Sequence, residues 1–108
     1  MKRIRVMFCE KRLQDCEGFT EDIYYIEGMR DFRCIITKKG KILTSFTFSE
    51  LENLLPKPAF VRVHKSYMIN LLHIESIERQ RIKIQGNLIP IGDLYKEAFY
   101  AQIKYRNG

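Results

Sequence analysis

The chain has 108 residues, 45% of them hydrophobic, and 19 Lys and Arg against 13 Asp and Glu give a net charge of +6. A length of this order fits a single domain, residues 1–108, that buries roughly two thirds of the surface its unfolded chain exposes, and it leaves no room for a large cleft between domains. Apolar runs such as Met68-Ile69 and Leu71-Leu72 fall far below the ~20 residues of a membrane span, so no membrane association is expected. Glu10-Lys11-Arg12 interrupts the opening before a signal-peptide core forms. Cys9, Cys16 and Cys34 contain no CxxC pair and leave one over, which suits neither a disulfide framework nor a zinc ribbon and points to a reducing cytoplasm.

The opening alternates Ile4, Val6 and Phe8 with Arg3, Arg5 and Met7, the period of two that predicts a strand with one face on a core. Glu21-Asp22-Ile23-Tyr24-Tyr25-Ile26 predicts a second strand, with Gly28 marking the loop after it. Phe32 to Thr37 and Lys41 to Phe46 are β-rich runs separated by Lys38-Lys39-Gly40, which is hairpin chemistry because glycine supplies positive φ. Thr47-Phe48-Ser49-Glu50 has capping-box spacing, and Leu51, Leu54 and Leu55 follow at helical intervals, so a short helix ending at Pro56 is expected. Phe60 to Val63, Ile74 to Ile77, Arg81 to Gln85 and Leu88 to Ile91 resume the extended pattern, the last two joined across Gly86-Asn87. Asp93 then stands as N-cap of a closing amphipathic helix through Leu94, Tyr95, Ala98, Phe99 and Ile103. The expected fold is mainly β with two short helices.

The charge is segregated. Residues 10–27 hold Glu10, Asp15, Glu17, Glu21, Asp22 and Glu27 against Lys11 and Arg12, whereas residues 28–41 hold Arg30, Arg33, Lys38, Lys39 and Lys41 against Asp31. Further basic stretches carry Lys57, Arg62 and Lys65, and then Arg79, Arg81 and Lys83. Convergence of these stretches on one face would favour a polyanion. Enzyme chemistry would have to start from the cysteines, His64 or His73, and none sits in a nucleophile motif. Cys34 falls inside an alternating strand, where a cysteine behaves as a small hydrophobe. The two histidines are nine apart with no carboxylate or thiolate cluster beside them, and the six glycines form no phosphate-cradling loop. No catalytic residues, metal or cofactor are expected.

Phe60-Val61-Arg62-Val63-His64-Lys65-Ser66-Tyr67-Met68-Ile69-Asn70-Leu71 has a specific order of residue types, followed by His73-Ile74-Glu75-Ser76-Ile77 and Ile89-Pro90-Ile91. With Ile23-Tyr24-Tyr25-Ile26-Glu27 and Leu51-Glu52-Asn53-Leu54-Leu55-Pro56, this run resembles the LytTR family of bacterial DNA-binding domains over roughly residues 20–100. The resemblance implies a multi-stranded β architecture and a sequence-specific transcriptional regulator that reads double-stranded DNA in successive major grooves through loops between strands. Such domains often follow a receiver domain in two-component systems. None is expected here, since ~120 residues would be needed before position 1, so the chain is read as a stand-alone regulator or an excised effector domain answering to a receiver or sensor kinase. Two copies on repeated sites are expected.

On that reading Lys65, in the family's basic position after His, is the first candidate for a DNA contact, and Arg30 the second. Arg33 and Lys39 follow, although charged hairpin residues are commonly a solvated face. His64 is equally suited to bond the backbone of the following turn, and Arg62 to pair with an acid such as Glu75. Where the family commonly has Ser followed by Arg or Lys, this chain has Gly92-Asp93. The competing reading is a basic β-rich module for RNA or a protein partner, using Tyr24, Tyr25, Phe32 and Tyr67.

Overall fold

The computed structural model describes residues 3–4, 18–55 and 59–107. The predicted strand beyond Ile4, Cys9 and Cys16, the acidic residues up to Glu17, Pro56 and Lys57 lie outside the described residues. Two short strands, β1 (Arg3–Ile4) and β2 (Gly18–Phe19), pair antiparallel. The centre of the fold is an antiparallel sheet of β3 (Ile23–Gly28), β4 (Arg33–Thr37), β5 (Gly40–Thr44), β6 (Phe60–His64) and β7 (Tyr67–Asn70) in the order β5-β4-β3-β7-β6. A three-stranded meander, β8 (Ser76–Glu78), β9 (Arg81–Ile84) and β10 (Asn87–Pro90), stands apart from it. The helices are α1 (Phe48–Leu54) and α2 (Lys96–Asn107).

The β-branched and aromatic run at the start of β3 suits a pleated, half-buried surface, but the strand begins two residues later than the pattern predicts, because Thr20–Asp22 forms a 3-10 turn. Within β3, Ile23 faces Thr37 and Tyr25 faces Ile36, so Tyr24 is a bulge. The extra residue resets the alternation, and Ile23 and Ile26, three apart, both enter the same core. The β4–β5 hairpin turns through Lys38-Lys39 and opens β5 on Gly40 at φ +135, a conformation that suits glycine. Thr37 Oγ1 donates to Gly40 O (2.8 Å) and accepts from Lys39 N (3.0 Å).

From β5 the chain crosses one face of the sheet as α1 and re-enters at the opposite edge as β6. The capping box is formed: Thr47 Oγ1 accepts from Glu50 N (3.1 Å), and Thr47 N donates to Glu50 Oε1 (2.8 Å). Phe48, Leu51 and Leu55 then pack on Ile23, Ile26, Ile35, Phe60 and Met68. The other face of the sheet carries a second core, in which Tyr25, Val63 and Ile69 meet Ile82, Ile84 and Ile89 of the meander and Phe99 of α2.

Three turns depart from the sequence reading. The β6–β7 connection, Lys65-Ser66, contains no Gly, Pro or Asn, so β7 is not announced as a strand by turn chemistry. Its signal is the His64 side chain, whose Nδ1 accepts from Ser66 N (3.0 Å). The β8–β9 turn uses Arg79 (φ 48) and Gln80 (φ 61), non-glycine residues in left-handed conformation. The β9–β10 turn is Gln85-Gly86, one residue earlier than expected.

Asp93 is not the N-cap of α2. Tyr95 N donates to Gly92 O (2.9 Å), and the first helical bond runs from Phe99 N to Tyr95 O (3.0 Å), so the helix starts at Lys96 after a turn that contains Asp93.

Asn70 is 1% exposed; its Nδ2 donates to Ile23 O (2.9 Å), and its Oδ1 accepts from Leu72 N (3.0 Å) at the head of the 3-10 turn Leu71–His73. It ties the end of β7 to the start of β3. Asn70→Ala removes a partner from the buried Ile23 carbonyl, at roughly 1–3 kcal/mol, and from the part-buried Leu72 N–H, so a denaturant melt is expected to show a loss of at least about 1 kcal/mol; an unchanged midpoint would remove Asn70 from this role.

Candidate nucleic-acid interface

The β3–β4 loop, the β6–β7 turn, the start of α1 and the Gly92–Tyr95 turn meet at one end of the central sheet. Gly28 N donates to Ser66 O (2.7 Å), joining the end of β3 to the β6–β7 turn, and Met29 N donates to Phe32 O (2.8 Å), closing the β3–β4 loop. Gly92 N donates to Val63 O (2.7 Å), which brings the turn before α2 against β6. A side chain on Gly92 would meet Tyr95 at 3.2 Å and His64 at 3.5 Å, so the contact is close.

Between these loops lies an open cleft of about 640 Å³, lined by Gly28, Met29, Arg30, Arg33, Thr47, Phe48, Ser49, Arg62, Lys65 and Ser66. The structure therefore brings together Arg30, Arg33, Arg62 and Lys65 from segments separated by up to 35 positions. Lys39 is not among them. It sits on the turn at the far end of β4, about 17 Å of strand away from Arg33. His64 lies beside the cleft with its Nδ1 committed to Ser66 N, its ring centroid 5.6 Å from that of Tyr67.

The four clustered cations divide into two kinds. The side chains of Arg30 and Lys65 are exposed and form no hydrogen bond or ion pair with another described residue. Arg33 and Arg62 are half-buried and hold main-chain carbonyls. Arg33 Nε donates to Phe46 O (3.1 Å) and Nη1 to Met29 O (3.4 Å). Arg62 Nε donates to His64 O (3.1 Å) and Nη2 to Lys65 O (2.7 Å). Both guanidinium groups lie over the Phe48 ring, Arg33 at 5.5 Å from its centroid and Arg62 at 4.2 Å, and Arg62 is also 5.5 Å from the Tyr95 ring.

The acid near Arg62 is Glu52, not the Glu75 considered from the sequence. Glu75 Oε2 instead accepts from Gln85 N (2.9 Å). The Arg62 Nη1 to Glu52 Oε2 separation is 4.0 Å with both side chains partly exposed, so this pair contributes about 0–1 kcal/mol. Charge-assisted bonds to carbonyls are worth about 1.5–3 kcal/mol each, and a cation over a ring ~0.5–2 kcal/mol. The carbonyl and ring contacts therefore fix Arg62.

Phe48 and Gly28 carry no functional signal in the sequence, yet the cleft is built on them. A Cβ placed on Gly28 would stand 2.8 Å from Phe48 Cε2, in a ring that is 7% exposed.

The LytTr DNA-binding domain family matches residues 19–104. The chain belongs to the LytTR family. The sensory transduction proteins LytT of Bacillus cereus and Bacillus anthracis are each 32% identical to it over 82 residues, covering 69% of this chain and 33% of theirs. The chain thus spans about a third of the length of those relatives. Its fold is similar to that of a solved LytTr DNA-binding domain from Bacillus cereus, with a TM-score of 0.80 at 18% identity, covering 95% of this chain and 97% of the other. This LytTR chain is accordingly a DNA-binding domain, of a family defined by binding and not by catalysis.

Other titratable groups of the LytTR domain serve the fold. Burial pushes the Cys34 thiol up, partly offset by Lys41, which keeps it a protonated hydrophobe on β4. Burial, and the Glu27 carboxylate that accepts its hydrogen bond, push the Tyr67 phenol up. His73 bonds the Glu21 carbonyl and meets the edge of Tyr24 (4.8 Å). No helix among the described residues is long and apolar enough to cross a membrane.

Gly28→Ala drives a methyl into a ring enclosed by core, an overpacking that costs ~1–3 kcal/mol. Urea denaturation is expected to show that loss, and Phe48→Leu in the same chain should recover part of it. An unchanged midpoint for Gly28→Ala would mean that the ring yields freely.

Proposed function

We propose that this LytTR domain is a sequence-specific double-stranded-DNA-binding regulator of transcription, acting in the cytoplasm, on its own or as the effector part of a two-component response regulator. It presents the β3–β4 loop and the β6–β7 turn to the major groove, with the Gly92–Tyr95 turn beside them. The observation that carries this reading is the convergence of Arg30 and Lys65, exposed and uncommitted among the described residues, on adjoining loops at one end of the sheet. Phosphate neutralisation needs cations free to leave water for the backbone, and base readout needs side chains on elements that enter a groove.

Lys65 and Arg30 are the contact residues of this reading. His64 shapes the turn that carries Lys65. Lys39, at the opposite end of β4, takes no part in the same footprint. Asp31 and Asp93 are exposed carboxylates on the same loops; they oppose phosphate and suit an amino group on a base edge, such as cytosine N4. Free copies do not associate, and two occupy repeated half-sites on DNA. The domain carries out no catalysis, and it uses no metal or cofactor.

Selection from a random duplex pool tests the reading directly, and recovery of a repeated motif is the expected result. Titration against a recovered duplex and a matched single-stranded RNA at two salt concentrations should favour the duplex; tighter RNA binding, or binding insensitive to salt, contradicts the proposal. Lys65→Ala is expected to weaken duplex binding by ~1–3 kcal/mol if it meets a base, or to lower the salt slope by about one if it meets a phosphate, with little change in the melting curve. Normal affinity at a normal melting temperature would remove Lys65 from the site.

A further inference from the structure

Two of the four cations in the cleft, Arg33 and Arg62, are poor candidates for direct contact with DNA. Arg62 spends Nε and Nη2 on the carbonyls of His64 and Lys65, at the entry to the β6–β7 turn, and its Cζ lies over the Phe48 ring, 4.2 Å from the centroid. Arg33 spends Nε and Nη1 on Phe46 and Met29, so it ties the β3–β4 loop to the segment leading into α1 and meets the same ring. Phe48 itself is pinned in the core by Leu51, Ile26 and Met68, with Gly28 against its edge. Each arginine thus fastens one presenting loop to one shared ring, and Gly28 N to Ser66 O fastens the loops to each other.

We propose that Arg62, seconded by Arg33, is a positioning residue for DNA binding: it holds the Lys65 backbone at a fixed height over Phe48 and makes no contact with phosphate or base. The inference rests on the DNA-binding reading above. It turns on the shape of the guanidinium, since a planar fork can bond two neighbouring carbonyls while its face lies on an aromatic ring. A lysine ammonium carries the same charge and cannot do both. A phosphate contact, in contrast, is largely served by charge, and its loss removes counterion release.

The test measures anisotropy of a labelled duplex recovered from the random pool, across a salt series and well below the melting temperature. It compares the unsubstituted chain, Arg62→Lys, Arg62→Gln, Lys65→Ala, the double variant Arg62→Gln with Lys65→Ala, and the core variant Ile84→Val as a control for lost stability. Positioning predicts that Arg62→Lys and Arg62→Gln both weaken binding about tenfold or more, since keeping the charge does not restore the fork. It also predicts that Lys65→Ala costs much less in the Arg62→Gln background than in the unsubstituted chain, and that Ile84→Val binds normally. Full affinity in Arg62→Lys, or additive losses in the double variant, would overturn it. Amide hydrogen exchange on the free protein provides an arm that needs no DNA. In Arg62→Lys, exchange at Gly28 and Ser66 should accelerate while Ile26 and Ile35 stay protected, and unchanged exchange at the first two overturns the proposal. If the unsubstituted chain binds no duplex, the DNA-binding reading fails by itself and the exchange arm still decides whether Arg62 braces the turn.

Discussion

The contact on which this end of the central sheet depends is that of the Phe48 ring with Gly28 at its edge and the guanidinium groups of Arg33 and Arg62 over it. A buried ring at the first residue of α1 has a position set by the core, and the capping box at Thr47 fixes where that residue falls. The absence of a side chain at Gly28 lets the end of β3 approach the ring closely enough for its N–H to reach Ser66 O on the neighbouring turn. Once the ring is placed, two cations find a face to rest on and carbonyls to bond. The loops thereby acquire rigidity from the core, where loops of their length and polarity would otherwise be mobile.

Net charge is a coarse guide to where a basic domain meets a polyanion. Of the cations gathered in the cleft, Arg33 and Arg62 hold main-chain carbonyls and Arg30 and Lys65 do not. Arginine suits the first task because its fork bonds carbonyls while its face stacks. The long-range field of all four still attracts DNA, and within a Debye length of ~8–10 Å the committed pair contributes nearly as much as the free pair. On the proposed reading steering and contact are therefore separable, with attraction shared by the whole end and recognition assigned to the free side chains. On the same reading, the exposed carboxylates of Asp31 and Asp93 would temper the field locally and raise the share of binding that depends on the right bases.

The elements that were legible in the sequence are those whose signals are local. Thr47 and Glu50 announce α1 because a capping box is an interaction of residues three apart, and Lys38-Lys39-Gly40 announces the β4–β5 hairpin because φ at Gly40 demands glycine. Element boundaries are harder to read where groups other than glycine, proline or asparagine carry the turn. The His64 imidazole does the work of a turn residue before β7, and Arg79-Gln80 adopts left-handed backbone without glycine or asparagine. Asp93 has the chemistry of a cap, but Tyr95 O accepts the first helical bond, so α2 begins past it. The ordered run from Phe60 to Leu71 points to the LytTR family, which the family match bears out. The sequence ranks Lys65 and Arg30 ahead of Arg33 and lets Arg62 pair with an acid, but what holds Arg62 and Arg33 is not legible in it, because nearby carbonyls and the Phe48 ring come within reach only in the fold.

The central claim is that one end of the central sheet, and no other surface, meets duplex DNA. Amide chemical-shift mapping during titration of a selected duplex tests it most directly. The account predicts that the shifts concentrate at residues 29–33, 64–67 and 92–95 and fade as salt is raised. Shifts centred instead on Arg81 and Lys83 of the outer meander, with the Lys65 turn unmoved, would contradict it.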